Sequence, residues 1–273
     1  ARTRHPRMNL VFERVFDFLC ATYPTLYPRE RVTFEVFKWA WGTIQARAFG
    51  RRLPWTALVP FADCLNHANV ATKYDFNVED NGVFRLRPTN TNRYAKGTEV
   101  FNSYGRRDNR HLLLEYGFAI EDNEWEPYEL TVKMPTTTPN YDAKMSVLSQ
   151  YMFSVSKTYR LNWKVFNLEV IAYYRVRVAT PEELDDPSII SKFFMEPVSA
   201  RNELAALEEV SRLYAGELSR FPTSLAEDEA TLERARTEGA DLAPRLMVAL
   251  VARITRKRIL AQQKAWVDAL RPL

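Results

Sequence analysis

The chain has 273 residues, of which 46% are hydrophobic and 26% charged, a length that predicts about two domains with ordinary buried cores. Two cysteines and three histidines exclude a disulfide scaffold and a structural zinc cluster. No apolar run reaches the roughly 18 residues of a membrane span. Glycine is scarce at 8 residues, and neither GxGxxG nor GxxxxGK[ST] occurs, so the usual dinucleotide and P-loop fingerprints are missing.

The net charge is +4, and its basic excess lies at the start of the chain, where Arg2, Arg4 and Arg7 fall within seven residues. A basic start is typical of a nucleic-acid-binding arm, of the tail of an organelle presequence, or of a solvated chain end. We favour the solvated end. Because the chain opens with Ala1 rather than Met, we expect that residues upstream were removed or left out.

The first third of the chain predicts two helices. An apolar stripe at helical spacing runs through 8–22 and is broken by two Tyr-Pro pairs. A second stripe follows Thr33, a suitable N-cap, and ends near Gly50.

Short strands are predicted next. Residues 56–59 form an apolar run, and 73–79 and 83–87 alternate on either side of Asn81-Gly82, a strong hairpin signal. Residues 99–104 are a further strand candidate.

The remainder is predicted to be mainly helical. Asn109 is a candidate cap for a helix over 110–116, and 128–134 is one more possible strand. A Thr/Pro-rich linker at 135–140 marks the predicted domain boundary. Helices are expected over 141–154, 161–179, 200–220 and 241–270, and the acidic stretch 225–238 is interpreted as a solvated loop or helix face.

Two stretches stand out chemically. One is Asp63-Cys64-Leu65-Asn66-His67, and the other runs from Gly97-Thr98-Glu99 through Tyr104-Gly105 to Tyr116-Gly117-Phe118. Their order and spacing resemble the late motifs of the SET domain. Together with Arg47-Ala48-Phe49 and the helical region after Pro135, they resemble the subgroup typified by the Rubisco large-subunit methyltransferases.

This resemblance implies methyl transfer from S-adenosylmethionine to an amine nitrogen of a protein, Lys ahead of His. Such a reaction needs alignment and a dry channel in which the amine is neutral. By resemblance Tyr104 is the catalytic residue, whose hydroxyl orients the amine, and Tyr116 and Phe118 line the substrate channel. In isolation, Tyr104 would be interpreted as a buried strand-end tyrosine, and Phe118 is equally a core residue.

The resemblance also implies a cofactor site. Asn66 would reach the amino-acid end of S-adenosylmethionine, the His67 backbone would meet the adenine, and Asp63 lies in the same turn. Arg47 would approach the cofactor carboxylate, although a solvated helix-end arginine is an equal alternative. No metal is expected, because Cys64 and His67 lack two further ligands.

Two departures refine this interpretation. Histone-type SET proteins carry a zinc-binding cysteine cluster after Tyr-Gly-Phe, but no cysteine follows Cys64 here. This favours the Rubisco-type subgroup, in which a helical C-terminal domain follows instead. Nothing before Arg47 resembles the Gly-x-Gly turn that begins a SET domain, so half of the cofactor site is not seen in this chain. We therefore predict an α+β fold with a helical insert (1–54), the later part of the SET core (55–134) and an all-α substrate-binding-like domain (141–273).

Three functions remain open. The first is a protein-lysine methyltransferase whose front portion is absent from this sequence. The second is a truncated, non-catalytic SET-like subunit that binds partner proteins within a larger organellar or ribonucleoprotein assembly. Direct nucleic-acid binding has only scattered arginines in its favour. The expected partners are a protein substrate or partner subunits, and the compartment can be the cytosol, the nucleus or an organelle.

One structural expectation concerns the last helix. Its basic residues are expected to be solvent-exposed or to contact another molecule; they are Arg253, Arg256, Lys257 and Arg258.

Overall fold

The computed structural model describes residues 5–50, 53, 55–77, 82–89, 94–154, 156–237 and 243–271. The chain divides into two compact units, Ala1–Phe118 (the N-terminal unit) and Ala119–Leu273 (the C-terminal unit). Helices predominate and small sheets occur in both units, which confirms the predicted α+β class. Among the described helices, none combines the length and the apolar character needed to cross a bilayer.

The N-terminal unit begins with the two predicted helices, α1 (His5–Thr22) and α2 (Phe34–Arg47). Thr33 caps α2 as expected, since its hydroxyl accepts the Val36 N–H at 3.3 Å. Aromatic rings hold the two helices together: Phe12 and Phe16 of α1 lie 5.5 and 5.2 Å from the ring of Phe37 on α2.

The predicted hairpin is present as β1 (Thr72–Asn77) and β2 (Val83–Pro88), which pair antiparallel. Gly82 precedes β2 with φ +68°, which glycine tolerates best, while Asn81 of the predicted Asn-Gly turn lies outside the described residues. The ring of Phe49 packs edge-on against Tyr74 and Phe84 at 5.3 and 5.1 Å. The hairpin is thereby tied to the segment that follows α2.

Two predicted strands of the N-terminal unit do not form. Residues 56–59 contribute only the single bridge between Ala57 and Phe49, and 99–104 only the parallel bridge between Asn102 and His67. Each of these segments is joined to its partner by a single bridge instead of a strand ladder. The segment continues into α3 (Asn109–Glu115), whose cap is Asp108 rather than the predicted Asn109, because the Asp108 carboxylate accepts the N–H at position 111.

The C-terminal unit contains a sheet that corrects the expectation of an all-α domain. Strand β3 (Tyr128–Lys133) pairs antiparallel with β4 (Ser156–Leu161). The predicted linker at 135–140 therefore lies inside this unit, between β3 and the helix that follows. The helix predicted over 161–179 is shorter, because its first residues belong to β4 and a loop. The assignment of three domains at 1–54, 55–134 and 141–273 stays a prediction.

Helices make up the rest of the C-terminal unit, and the acidic stretch 225–238 is almost entirely helical. They are α4 (Tyr141–Gln150), α5 (Leu168–Arg177), α6 (Pro181–Asp185), α7 (Pro187–Ile190), α8 (Lys192–Met195), α9 (Ala200–Ser219), α10 (Leu225–Thr237) and α11 (Pro244–Ala269). Their main core gathers buried side chains from β3, β4, α5, α9 and α11, with the fully buried Tyr173, Phe193 and Tyr214 among the largest.

The expected exposure of the last helix's basic residues is wrong for Lys257. Its side chain is completely buried, and its ammonium group donates to the Asp228 carboxylate at 2.5 Å and to the Thr223 carbonyl at 2.6 Å. Arg253 binds the same carboxylate through two hydrogen bonds. Arg258 pairs with acidic residues of its own unit, and only Arg256 is exposed. The pairs that Arg253, Lys257 and Arg258 form with Asp228 and Glu229 join α11 to α10.

Candidate active site

The first predicted motif lies on a tight turn of the N-terminal unit. The backbone reverses at Phe61, whose φ of +71° is unusual for an aromatic residue, and continues as a 3-10 turn over Ala62–Cys64. The N–H of Asp63 donates to the Val59 carbonyl at 3.1 Å. This geometry places 63–67 on one compact turn.

A parallel bridge brings the second motif to this turn. The Asn102 N–H donates to the Asn66 carbonyl at 2.8 Å, and the Ala68 N–H donates to the Asn102 carbonyl at 3.2 Å. These two bonds clamp the backbone around His67, so residues some 35 positions apart in sequence share one site. The two predicted motifs are therefore adjacent in the fold, while the roles assigned to their residues stay a prediction.

Two further residues stabilise the bridge: Thr72, which no sequence motif indicated, and Asn102, which lies within the second motif but was assigned no role. The Thr72 hydroxyl donates to the Asn102 side-chain oxygen at 3.1 Å and accepts the Ser103 N–H at 3.0 Å. The buried side chain of Asn102 thereby finds a partner. Their role depends on the pairing of distant segments, which residue spacing does not reveal.

Tyr104 lies where the two motifs meet. Its hydroxyl donates to the Leu65 carbonyl at 2.7 Å, and its backbone N–H donates to Nδ1 of His67 at 3.1 Å. The rings of Tyr104 and His67 stack with centroids 5.0 Å apart. Burial, with a smaller contribution from Tyr116, raises the pKa of the Tyr104 phenol, so the hydroxyl keeps its proton at neutral pH.

His67 is neutral in this setting, because burial lowers the pKa of its imidazole despite a backbone contact to Asn102 that opposes the shift. Two backbone groups compete for Nδ1: the Tyr104 N–H donates to it at 3.1 Å, and the Asn102 carbonyl, which would need a proton on Nδ1, lies 3.3 Å away. Because a backbone N–H can only donate and its contact is the shorter of the two, we assign the ring proton to Nε2. That Nε2 atom is buried, with no hydrogen-bond partner among the described residues.

Tyr116 and Phe118 complete a cluster of rings around Tyr104. Their centroids lie 4.8 and 6.4 Å from that of Tyr104 and 6.2 Å from each other. Gly117 between them has φ +84°, a conformation that turns both neighbouring rings toward the cluster at little cost. The resulting wall is aromatic and carries no formal charge, which suits a neutral amine.

The remaining predicted residues, Arg47, Asp63 and Asn66, form polar contacts at the turn, and we call this group the polar side of the turn. Arg47, the last residue of α2, donates to the Asp63 carbonyl at 3.1 Å, and its guanidinium is 3.5 Å from the Asp63 carboxylate. The amide nitrogen of Asn66 donates to Glu99 at 2.7 Å. Glu99 belongs to the quoted motif, but the sequence assigned it no role. Within the described residues, no group of three His, Cys, Asp or Glu side chains is arranged to hold a metal ion.

Comparison with known proteins shows what the chain is similar to. Residues 135–260 match the family model described as Rubisco LSMT substrate-binding. The chain is 30% identical over 247 residues to the chloroplastic [fructose-bisphosphate aldolase]-lysine N-methyltransferase of Arabidopsis thaliana, covering 85% of the chain and 50% of that relative. It is 26% identical to the actin-histidine N-methyltransferase of Danio rerio, covering 85% of the chain and 40% of the relative.

Solved structures show the same fold. Rubisco LSMT bound to AdoMet superposes with a TM-score of 0.59 at 22% identity, covering 98% of the chain and 63% of that structure. The SET domain of LSMT bound to lysine and AdoHcy gives 0.61 at 20% identity, covering 96% and 63%. The chain spans half or less of the length of the two curated relatives. The family match over 135–260, the similarity to lysine and histidine methyltransferases and the shared fold confirm the resemblance to SET-domain proteins of the Rubisco large-subunit methyltransferase subgroup.

Proposed function

We propose that this protein transfers a methyl group from S-adenosylmethionine to a side-chain amine of another protein, with lysine as the acceptor ahead of histidine. The observation that carries the proposal is the position of the Tyr104 hydroxyl, at the junction of the two motifs and inside the ring cluster. The alternative of a non-catalytic subunit gains no support from the two relatives, since the names of both describe methyltransferases.

The polar side of the turn fits a cofactor of this kind. The buried Nε2–H of His67 lacks a partner among the described residues, and the Asn66 side chain is exposed with its oxygen turned away from Glu99. In our proposal Asn66 and His67 hold the cofactor together with Arg47 and Asp63. When bound, S-adenosylmethionine supplies an activated methyl group on a positively charged sulfur. Because no Gly-x-Gly turn precedes Arg47, we expect these 273 residues alone to bind it weakly.

The ring cluster favours the reactive form of the acceptor. A free lysine has a pKa near 10.4 and is charged at neutral pH. Burial raises the pKa of both Tyr104 and Tyr116, which means that this environment disfavours charge. The same desolvation acts in the opposite direction on an ammonium group and lowers its pKa. A lysine inserted here would lose its proton more readily and expose the nitrogen lone pair.

The Tyr104 hydroxyl would orient that amine. Its proton is committed to the Leu65 carbonyl, so its oxygen lone pairs remain to accept a hydrogen bond from the amine. The stacked His67 ring and the backbone bond to Nδ1 fix the tyrosine's position. Alignment of this kind accounts for much of the rate of a methyl transfer whose leaving group is already good.

The test is Tyr104→Phe in the natural protein, including any residues that precede Ala1. The variant keeps the stacked ring and loses the orienting oxygen, so we expect turnover to fall about 10- to 100-fold and stability to change by about 1 kcal/mol or less. The assay follows the tritiated methyl group from S-adenosylmethionine into an undermethylated protein extract, and mass spectrometry then locates it on lysine or histidine. Tyr23→Phe, an exposed tyrosine of the same unit, is the matched control. Unchanged turnover in Tyr104→Phe would contradict the catalytic role.

A further inference from the structure

The hydrogen bond between Asn66 and Glu99 has a feature that folding alone does not explain. It joins side chains 33 positions apart at 2.7 Å, yet both side chains are exposed. An exposed polar pair contributes little to stability, because water competes for both partners. The backbone bridge between Asn66 and Asn102 already holds the two segments together. The side-chain bond therefore adds something other than attachment.

What it adds is a defined orientation of the amide. An ionised carboxylate can only accept hydrogen bonds, so the Asn66 atom beside Glu99 must be the nitrogen. The Asn66 oxygen is then directed away from Glu99. The turn consequently presents a hydrogen-bond acceptor backed by a formal negative charge. This combination matches a ligand ammonium group and disfavours a ligand carboxylate.

The charges around the turn favour the same group. Glu99 brings a negative charge beside the neutral Asn66 amide. At the other end of the turn, the Arg47 guanidinium lies 3.5 Å from the Asp63 carboxylate, so the two charges there oppose each other. The amino-acid end of S-adenosylmethionine carries an ammonium and a carboxylate, and the negative charge beside Asn66 favours the orientation that places the ammonium there.

We propose that Glu99 is a positioning residue for the cofactor, an inference that rests on the proposed function. Its carboxylate fixes the Asn66 amide so that the side-chain oxygen accepts from the α-ammonium group of the cofactor. Its negative charge adds attraction for the same group. Glu99 acts through Asn66 and does not take part in methyl transfer.

The first experiment measures binding of two adenosine thioethers by calorimetry, using the natural protein with any residues that precede Ala1. S-adenosylhomocysteine carries the amino-acid end, and methylthioadenosine lacks it, while both have an uncharged sulfur. Glu99→Gln removes the charge and lets the amide reverse. We expect it to weaken S-adenosylhomocysteine about tenfold, the scale of one charge-assisted hydrogen bond at an accessible site, and to leave methylthioadenosine unchanged.

A double-mutant cycle tests whether Glu99 works through its partner. In an Asn66→Ala background, Glu99→Gln should lose most of its effect on S-adenosylhomocysteine, because there is no amide left to orient. Glu13→Gln, which neutralises an exposed glutamate on α1, is the control for a general change in charge. It should alter the binding of neither ligand.

The possible results of these experiments distinguish a failure of the Glu99 inference from a failure of the proposed function on which it rests. Equal weakening of both ligands by Glu99→Gln would show a structural role and overturn the inference, as would unchanged binding of S-adenosylhomocysteine. An undiminished effect of Glu99→Gln in the Asn66→Ala background would show that Glu99 acts independently of Asn66. If the unaltered protein binds neither ligand, the proposed function itself fails, and the inference fails with it.

Discussion

The two units of the molecule differ in how they bury apolar surface. In the C-terminal unit, buried residues of two strands and several helices form one large core, with a second cluster between α10 and α11. In the described part of the N-terminal unit, only Cys20, Phe49 and Leu112 are buried apolar residues. Large side chains such as Trp39 and Phe61 are exposed there, by 71% and 88%.

The candidate active site lies in the unit with the smaller core. Its positions are fixed mainly by single backbone bonds, short polar contacts and ring stacking. Segments held in this way open at lower free-energy cost than those packed into a core, and ligand-binding elements are commonly drawn from them. The comparison places the larger apolar core and the candidate active site in different units of this chain.

The largest expected effect contrasts one aromatic residue from each unit. Phe193→Ala removes a fully buried ring from the C-terminal core and should destabilise that unit by about 3–5 kcal/mol. Trp39→Ala removes a larger ring that is mostly exposed and should cost about 0.5 kcal/mol or less. Hydrogen exchange followed by mass spectrometry gives opening free energies for α9 and α2 separately. If Trp39→Ala lowered the opening free energy of α2 by nearly as much as Phe193→Ala lowers that of α9, the two units would not differ in the way proposed.

The second prediction concerns the buried ion pair between α10 and α11. Asp228→Ala leaves the Lys257 ammonium group buried without its counter-ion, and we expect a loss of about 3–5 kcal/mol. The paired change Asp228→Leu with Lys257→Met removes both charges and should restore most of that loss. Urea unfolding monitored by circular dichroism measures both. Failure of the double variant to recover stability would show that the pair's further hydrogen bonds matter more than its charges.

The same pair predicts a response to acid. Burial alone would raise the pKa of Asp228, but hydrogen bonds from Arg253, Lys257 and Thr223 outweigh it and lower the pKa below the usual value of 3.8. A carboxyl group whose pKa is lower in the folded state binds fewer protons folded than unfolded. Its stabilising contribution is complete above about pH 3.8 and is lost as the pH falls through the folded pKa. Asp228→Asn should remove this part of the acid sensitivity.

Local signals in the sequence predicted much of this architecture. Helices α1, α2, α9 and α11 have apolar stripes long enough to be recognised, and Thr33 is a cap whose partner lies three residues away. The hairpin of β1 and β2 follows from alternation on both sides of a turn signal. Such features depend on neighbours in sequence. The candidate site residues were named from motif order by resemblance, and their roles stay a prediction.

The features that the sequence did not predict depend instead on contacts between residues that are distant in sequence. Strand β4 was missed because its role depends on pairing with β3, across an intervening helix. Residues 99–104 alternate like a strand, but only Asn102 finds a bridge partner. Lys257 looks like a surface residue until Asp228, 29 positions away, is placed beside it. Glu99 likewise has a candidate role only because the fold brings it into contact with Asn66, 33 positions away. Each depends on a partner brought near by the fold, which sequence spacing does not specify.

The smallest predicted effect lies within the site and concerns the amide of Tyr104. That N–H donates to Nδ1 of His67 at 3.1 Å, which requires an unprotonated Nδ1. Because burial lowers the pKa of His67 below 6.5, the unfolded state binds a proton more readily than the folded state. The neutral ring therefore contributes stability above about pH 6.5 that declines on acidification toward the folded pKa. Protonation then places a hydrogen on Nδ1 and breaks the bond to Tyr104.

Hydrogen exchange of individual amides by NMR follows this change. After correction for the intrinsic effect of pH on exchange, protection of the Tyr104 amide should fall as His67 titrates. The Asn102 amide, which donates to the Asn66 carbonyl at 2.8 Å, is the internal control and should stay protected. A joint loss at both positions would mean that the whole turn opens on acidification. Steady protection of the Tyr104 amide throughout the titration would contradict the assigned tautomer, since a protonated Nδ1 cannot accept its hydrogen bond.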